Sequence, residues 1–190
     1  MQSVTRCTLP LGVALLAASA TPARAQQPVV NFKTLQQFLP TAELPGYVRG
    51  KLTGQTRSAM GVSSSEAQVI YTRQGQRSED AGPPTITVTI TDLGGNPLGA
   101  FAAMAGGIVG EVNEETQDGY KKSITVQSQY KGLEEATTTP DNKSCKISLF
   151  VGNRFMVGLE GYLTDDVAAL RKLLDTMKLA QLDRTGQAKG

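Results

Sequence analysis

The most regular pattern in the chain is the alternation at 85–91. Ile86, Val88 and Ile90 fall on one side, and Thr85, Thr87, Thr89 and Thr91 on the other. Period two built from β-branched residues predicts a strand with one buried and one wetted face. Ala67, Val69 and Tyr71 alternate with Gln68, Ile70 and Thr72 and predict a second strand. Tyr47 to Arg57 reads as a weaker strand interrupted by Gly50 and Gly54, Ser63 to Ser65 as a flexible patch, and Gln74 to Pro84 as a polar loop. Further on, Tyr120 to Val126 and Lys131 to Thr137 predict strands, and Asp141-Asn142-Lys143 a turn. Cys145 to Val151 and Arg154 to Glu160, joined by Gly152-Asn153, predict a hairpin on a primed turn.

Helical spacing occurs in three places. Phe32, Leu35, Phe38 and Leu39 recur at helical intervals until Pro40 stops them, and Pro45-Gly46 marks a turn. Val167, Leu170, Leu174 and Met177 form the apolar stripe of a last helix. Thr164 is its expected cap, with Asp165 and Asp166 at the positive end and Lys178 at the negative end. Asn96-Pro97 is a cap followed by a first-turn proline, and so opens a middle helix. The order helix, strands, helix, strands, helix gives an α+β class. A mostly antiparallel sheet of about six or seven strands is packed by about three helices.

The middle segment, 97–110, reads PLGAFAAMAGGIVG and carries no charged or hydrogen-bonding side chain. A surface helix shows a polar face, and this one shows none. Gly99, Ala103 and Gly107 form a smooth ridge where another backbone can approach closely. Its 14 residues are too few to cross a bilayer. Two readings stand: a helix buried on both sides, or an exposed docking face whose contacts are Leu98, Phe101, Met104 and Ile108. Arg154 and Tyr162 are candidates to flank a groove there.

The N-terminus changes how composition is read. Arg6, an apolar run from Leu9 to Ala20 and the triplet Ala23-Arg24-Ala25 have the three parts of a secretory signal, with cleavage expected after Ala25. The expected organisation is a signal peptide at 1–25, a linker at 26–30, a single domain at 31–182 and a disordered tail at 183–190. Removing the signal takes Arg6 and Arg24, two of the 19 basic residues, and none of the 17 acidic ones. The formal charge of +2 thereby becomes zero, which removes any electrostatic footprint for nucleic acid. Cys7 leaves as well, so an internal disulfide is impossible. The remaining chain, about 165 residues, is long enough to fold without one. The expected location is periplasmic or secreted, with no membrane span after processing.

Candidate chemistry is sparse. The chain has no histidine, which removes Ser-His-Asp and Cys-His nucleophiles and the usual zinc and copper ligands. Gly94-Gly95 and Gly106-Gly107 lack the spacing of phosphate-binding loops. Glu111, Glu114, Glu115 and Asp118 read as a solvated acidic turn; as ligands for a hard cation their spacing is not that of an EF-hand. Cys145 shares the phase of Ile147, Leu149 and Val151 and reads as a buried, inert thiol. Asn142-Lys143-Ser144 matches a glycosylation acceptor and is read as chance. No cofactor, metal or catalytic residue is expected.

The stretches TITDLGG, EETQDGY, LFVGNRFMVGLEG and the terminal KLAQL resemble a class of uncharacterised exported bacterial proteins, over about Leu35 to Leu182. At fold level the arrangement is similar to the PsbP-like α/β sandwich, which implies a binding or assembly role at a membrane face. The functional expectation is a non-enzymatic exported domain that binds a partner protein, as an accessory of an envelope or membrane complex. The alternative is a carrier of a lipid or other apolar small molecule.

Overall fold

A computed structural model describes residues 28–59, 62–75, 82–94, 111–152 and 154–187. The export segment with Ala25, and the candidate contacts Leu98, Phe101, Met104 and Ile108, lie outside the described residues. The alternation at 85–91 forms the strand it predicts, Thr85–Asp92, with its odd positions half-buried and its even positions buried. Around it, nine strands in chain order build one sheet: β1 (Tyr47–Arg49), β2 (Thr53–Ala59), β3 (Val62–Arg73), β4 (Thr85–Asp92), β5 (Asn113–Thr116), β6 (Gly119–Val126), β7 (Tyr130–Thr139), β8 (Asn142–Val151) and β9 (Phe155–Tyr162). Their spatial order is β1-β3-β4-β9-β8-β7-β6-β5, with β2 also paired to β3. Every ladder is antiparallel. Among the described residues three helices accompany the sheet: α1 (Phe32–Leu35), continued by a 3-10 turn at Gln36–Phe38, then α2 (Val167–Asp175) and α3 (Leu179–Gln187).

The sheet is larger than the six or seven strands expected, and each difference has a physical source. Tyr47 to Arg57 is two strands rather than one, because Arg49 pairs with Tyr71 and Thr53 with Gln68, so three residues at 50–52 face two on β3 and interrupt the ladder. The Gly50 N–H donates to the Ile70 carbonyl at 2.7 Å, and a Cβ at Gly50 would lie 2.9 Å from that oxygen. Ser63 to Ser65 is not a flexible patch but the start of β3, held by pairing to β2 and by the Thr56–Ser65 hydroxyl contact at 2.9 Å. The acidic residues Glu114 and Glu115 are strand residues of β5, an edge strand exposed along its whole length. With no buried side, such a strand has no apolar alternation to read.

The last helix also differs from expectation. Asp166, not Thr164, is the N-cap of α2, accepting from the Ala169 N–H at 2.9 Å. Thr164 instead accepts from the Asp166 N–H at 3.3 Å. The helix ends at Asp175, and α3 takes the chain on through Gln187. Asp183 to Gln187, expected to be part of a disordered tail, are therefore helical.

The core lies on one face of the sheet. Ala67, Val69, Tyr71, Ile86, Val88, Ile90, Ile147, Leu149, Val157 and Leu159 point into it, each fully buried. Leu170, Leu173, Leu174, Leu179 and Leu182 cover them from α2 and α3, and Leu35 and Phe38 from the N-terminal helix. The opposite face carries the threonines of β4. One of its cross-strand rows runs Ser123, Leu133, Ser148, Gly158, Thr89, Gln68.

Candidate functional site

The helices rest chiefly on β2, β3, β8 and β9. The sheet extends past them on the core side, so the apolar residues of β6 are left half-covered. Ile124 and Val126 are partly buried against the core there. Between this strand and α2 runs a groove of about 370 Å³, with Ile124, Val126, Ile147 and Leu174 as its apolar lining and Arg171 and Asp175 at its rim. Arg171 and Asp175 are four residues apart on α2, so they share one helix face.

A buried charge cluster adjoins the groove. Glu134 on β7 has no side-chain exposure. It accepts from the Tyr120 hydroxyl at 2.8 Å and from Arg171 Nε at 2.7 Å, and pairs with Arg171 Nη2 at 2.6 Å and Lys122 Nζ at 3.3 Å. Desolvation works against its ionisation, but the hydrogen bonds from Tyr120, Arg171 and Lys122 outweigh it and hold its pKa below the usual value. The same contact acts in reverse on Tyr120. Burial and then the hydrogen bond to Glu134 push the phenol up to about 12. The arrangement fixes one guanidinium edge of Arg171 on Glu134 while the side chain stays 53% exposed at the groove.

The turn that closes the groove at the end of β6 has unusual backbone. Gln127 and Ser128 have φ of 49° and 61°. Two consecutive positive values are the pattern of a type I′ hairpin turn, for which Asn-Gly is the favoured sequence. Side-chain-bearing residues there cost of order 1–3 kcal/mol each, and such strain gathers at functional positions.

The residues singled out from sequence are dispersed. Arg154 is a buried residue. It is 4% exposed, and its guanidinium donates to Asp92 from Nε and Nη2, both at 2.9 Å, and to the Pro28 carbonyl at 2.6 Å. Asp92 in turn accepts from the Val30 N–H at 2.6 Å and the Gly94 N–H at 3.0 Å. This pair clamps 28–30 onto the ends of β4 and β9. Tyr162 is 54% exposed on the face opposite the core. Glu114 and Asp118 line a shallow crevice of about 260 Å³ with Lys121 and Glu135. Among the described residues no group of three or more His, Cys, Asp or Glu is placed to hold a metal ion. Cys145 is 1% exposed, and burial, followed by the charge of Asp166, pushes its thiol up to about 12.

Sequence reasoning missed the groove and its cluster. Tyr120, Lys122 and Glu134 alternate on their strands, and Arg171 follows the apolar stripe of α2 by one residue. Only the β6–β7 register and the placement of α2 bring them together. Comparison with protein-family models, with curated proteins and with solved structures finds no match to this chain. Among the described residues no helix is long and apolar enough to cross a membrane.

Proposed function

We propose that this protein is a binding domain that works outside the cytoplasm, and that it takes an apolar side chain of a partner protein into the groove between β6 and α2. The observation that carries this reading is the groove itself: half-buried Ile124 and Val126, backed by buried Ile147 and Leu174, beside a pinned arginine. Recognition sites combine such an apolar surface with a few fixed polar groups. Arg171 supplies a cation whose geometry is set by Glu134, so little side-chain freedom is lost when a partner engages it.

A second reading, carriage of a lipid or other apolar small molecule, rests on the groove volume of about 370 Å³. That lies within the range of roughly 300–1,000 Å³ typical of small-molecule sites. Native mass spectrometry of the gently purified chain separates the two, with Ile124→Glu as the control. A stoichiometric protein partner lost in the variant supports the first reading, and a bound lipid lost in the variant supports the second. A bare monomer, or a companion that Ile124→Glu retains, overturns both.

A further inference from the structure

Glu134 is outnumbered. Its buried carboxylate carries one negative charge, and a cation stands at each of its oxygens: Lys122 Nζ at Oε1 and Arg171 Nη2 at Oε2. The third group that bonds it, the Tyr120 hydroxyl, is neutral. The cluster therefore keeps one unit of positive charge. Both cations reach the surface, with more than half of the Arg171 side chain and 41% of the Lys122 side chain exposed. Among the described residues neither pairs with any other acid.

Arg171 spends only one edge on Glu134. Its Nε and Nη2 both meet Oε2, at 2.7 and 2.6 Å. Nη1 and the outer N–H of Nη2 are left over, and these two donors lie side by side in the arrangement that grips a carboxylate. Lys122 is held beside them by Glu134 and by the Tyr120 ring, whose centroid lies 4.6 Å from Nζ. Asp175 lines the same groove one helical turn along α2, about 6 Å away, and makes no ion pair with Arg171. A second acid beside the first is therefore disfavoured.

The apolar part of the groove is ordered along a strand. Lys122, Ile124 and Val126 share one face of β6, so neighbours in this row stand about 7 Å apart. Ile147 and Leu174 are buried beneath it, so an occupant meets Ile124 and Val126. Side chains of an extended peptide alternate with the same repeat.

We propose that the groove takes an extended partner segment with one acidic residue, whose carboxylate binds the free edge of Arg171 beside Lys122. An apolar side chain two positions away in that segment covers Ile124. This rests on reading the groove as a partner-protein site and adds the partner's chemistry: charge complementarity selects an acid, and strand spacing sets its distance from the apolar anchor.

Random heptapeptides displayed on phage and selected on the intact protein, with Ile124→Glu as counter-selection, test this. Selected peptides are expected to carry one Asp or Glu two positions from a Leu, Ile, Met or Phe. One such peptide, and its copy with the acid changed to the amide, are then titrated calorimetrically. The native protein is expected to prefer the acidic copy by about five- to tenfold. Lys122→Gln, which leaves Glu134 its bonds to Arg171 and Tyr120, is expected to bring that preference to about threefold or less and to bind the amide copy unchanged. Apolar binders without an acid, or a preference that Lys122→Gln leaves undiminished, overturn this proposal while the groove stands as a partner site. Selection of nothing over Ile124→Glu overturns both.

Discussion

Two buried carboxylates illustrate how much a single residue can hold. Asp92 has no side-chain exposure and receives four hydrogen bonds, two from Arg154 and two from backbone N–H groups at Val30 and Gly94. Removing it strands a buried guanidinium, so Asp92→Ala is expected to cost about 3–5 kcal/mol in urea unfolding. The double variant Asp92→Leu with Arg154→Met is expected to cost less than the sum of the single changes, because no charge is then left unpaired. Glu134 sets the acid limb of stability. Its folded pKa lies below 4.5, so its contribution is complete above that pH and is lost as pH falls through the lower folded value. Cys145 and Tyr120 set the alkaline limb. Each prefers its protonated form in the fold, so their contribution is complete below about pH 9 and is lost as pH rises toward about 12. Glu134→Gln should flatten the acid side of a pH–stability curve, and Cys145→Ala the alkaline side.

At the level of elements, the strands that alternate were legible and those that do not were hidden. β4 and the buried part of β3 announce themselves because one face of each is in the core. β2 and β5 lie at the sheet edges with polar sequences, Thr-Gly-Gln-Thr-Arg-Ser-Ala and Asn-Glu-Glu-Thr, and only backbone pairing makes them strands. Helix α2 was legible from its stripe, but its cap was misplaced by two residues, since Thr164 and Asp166 are both good capping types. Asp166→Ala is expected to destabilise by about 1 kcal/mol, and Thr164→Ala by less if the Asp166 bond is the one that caps the helix, as paired thermal melts would read. The β6–β7 turn is the element most open to improvement. Replacing Gln127-Ser128 with Asn-Gly is expected to raise stability by about 1 kcal/mol or more, because both replacements accept positive φ readily. A fall in melting temperature would show that the turn is not strained.

At the scale of the whole molecule, a single core on one face of a nine-stranded sheet accounts for the inert thiol. Cys145 is expected to resist a thiol reagent in the native protein and to react fully after denaturation; rapid native labelling would show that the core opens there. The antiparallel sheet with covering helices, the β8–β9 hairpin and the burial of Cys145 were determined by the sequence alone, because each follows from local periodicity or turn chemistry. The groove, the Glu134 cluster and the Asp92–Arg154 clamp were decided only by tertiary structure. Their members lie as far as 62 residues apart, and a charged residue looks the same in sequence whether it faces water or a buried partner. Strand order settled which charges meet, and the length of the helical layer against the width of the sheet settled where an apolar floor stays open.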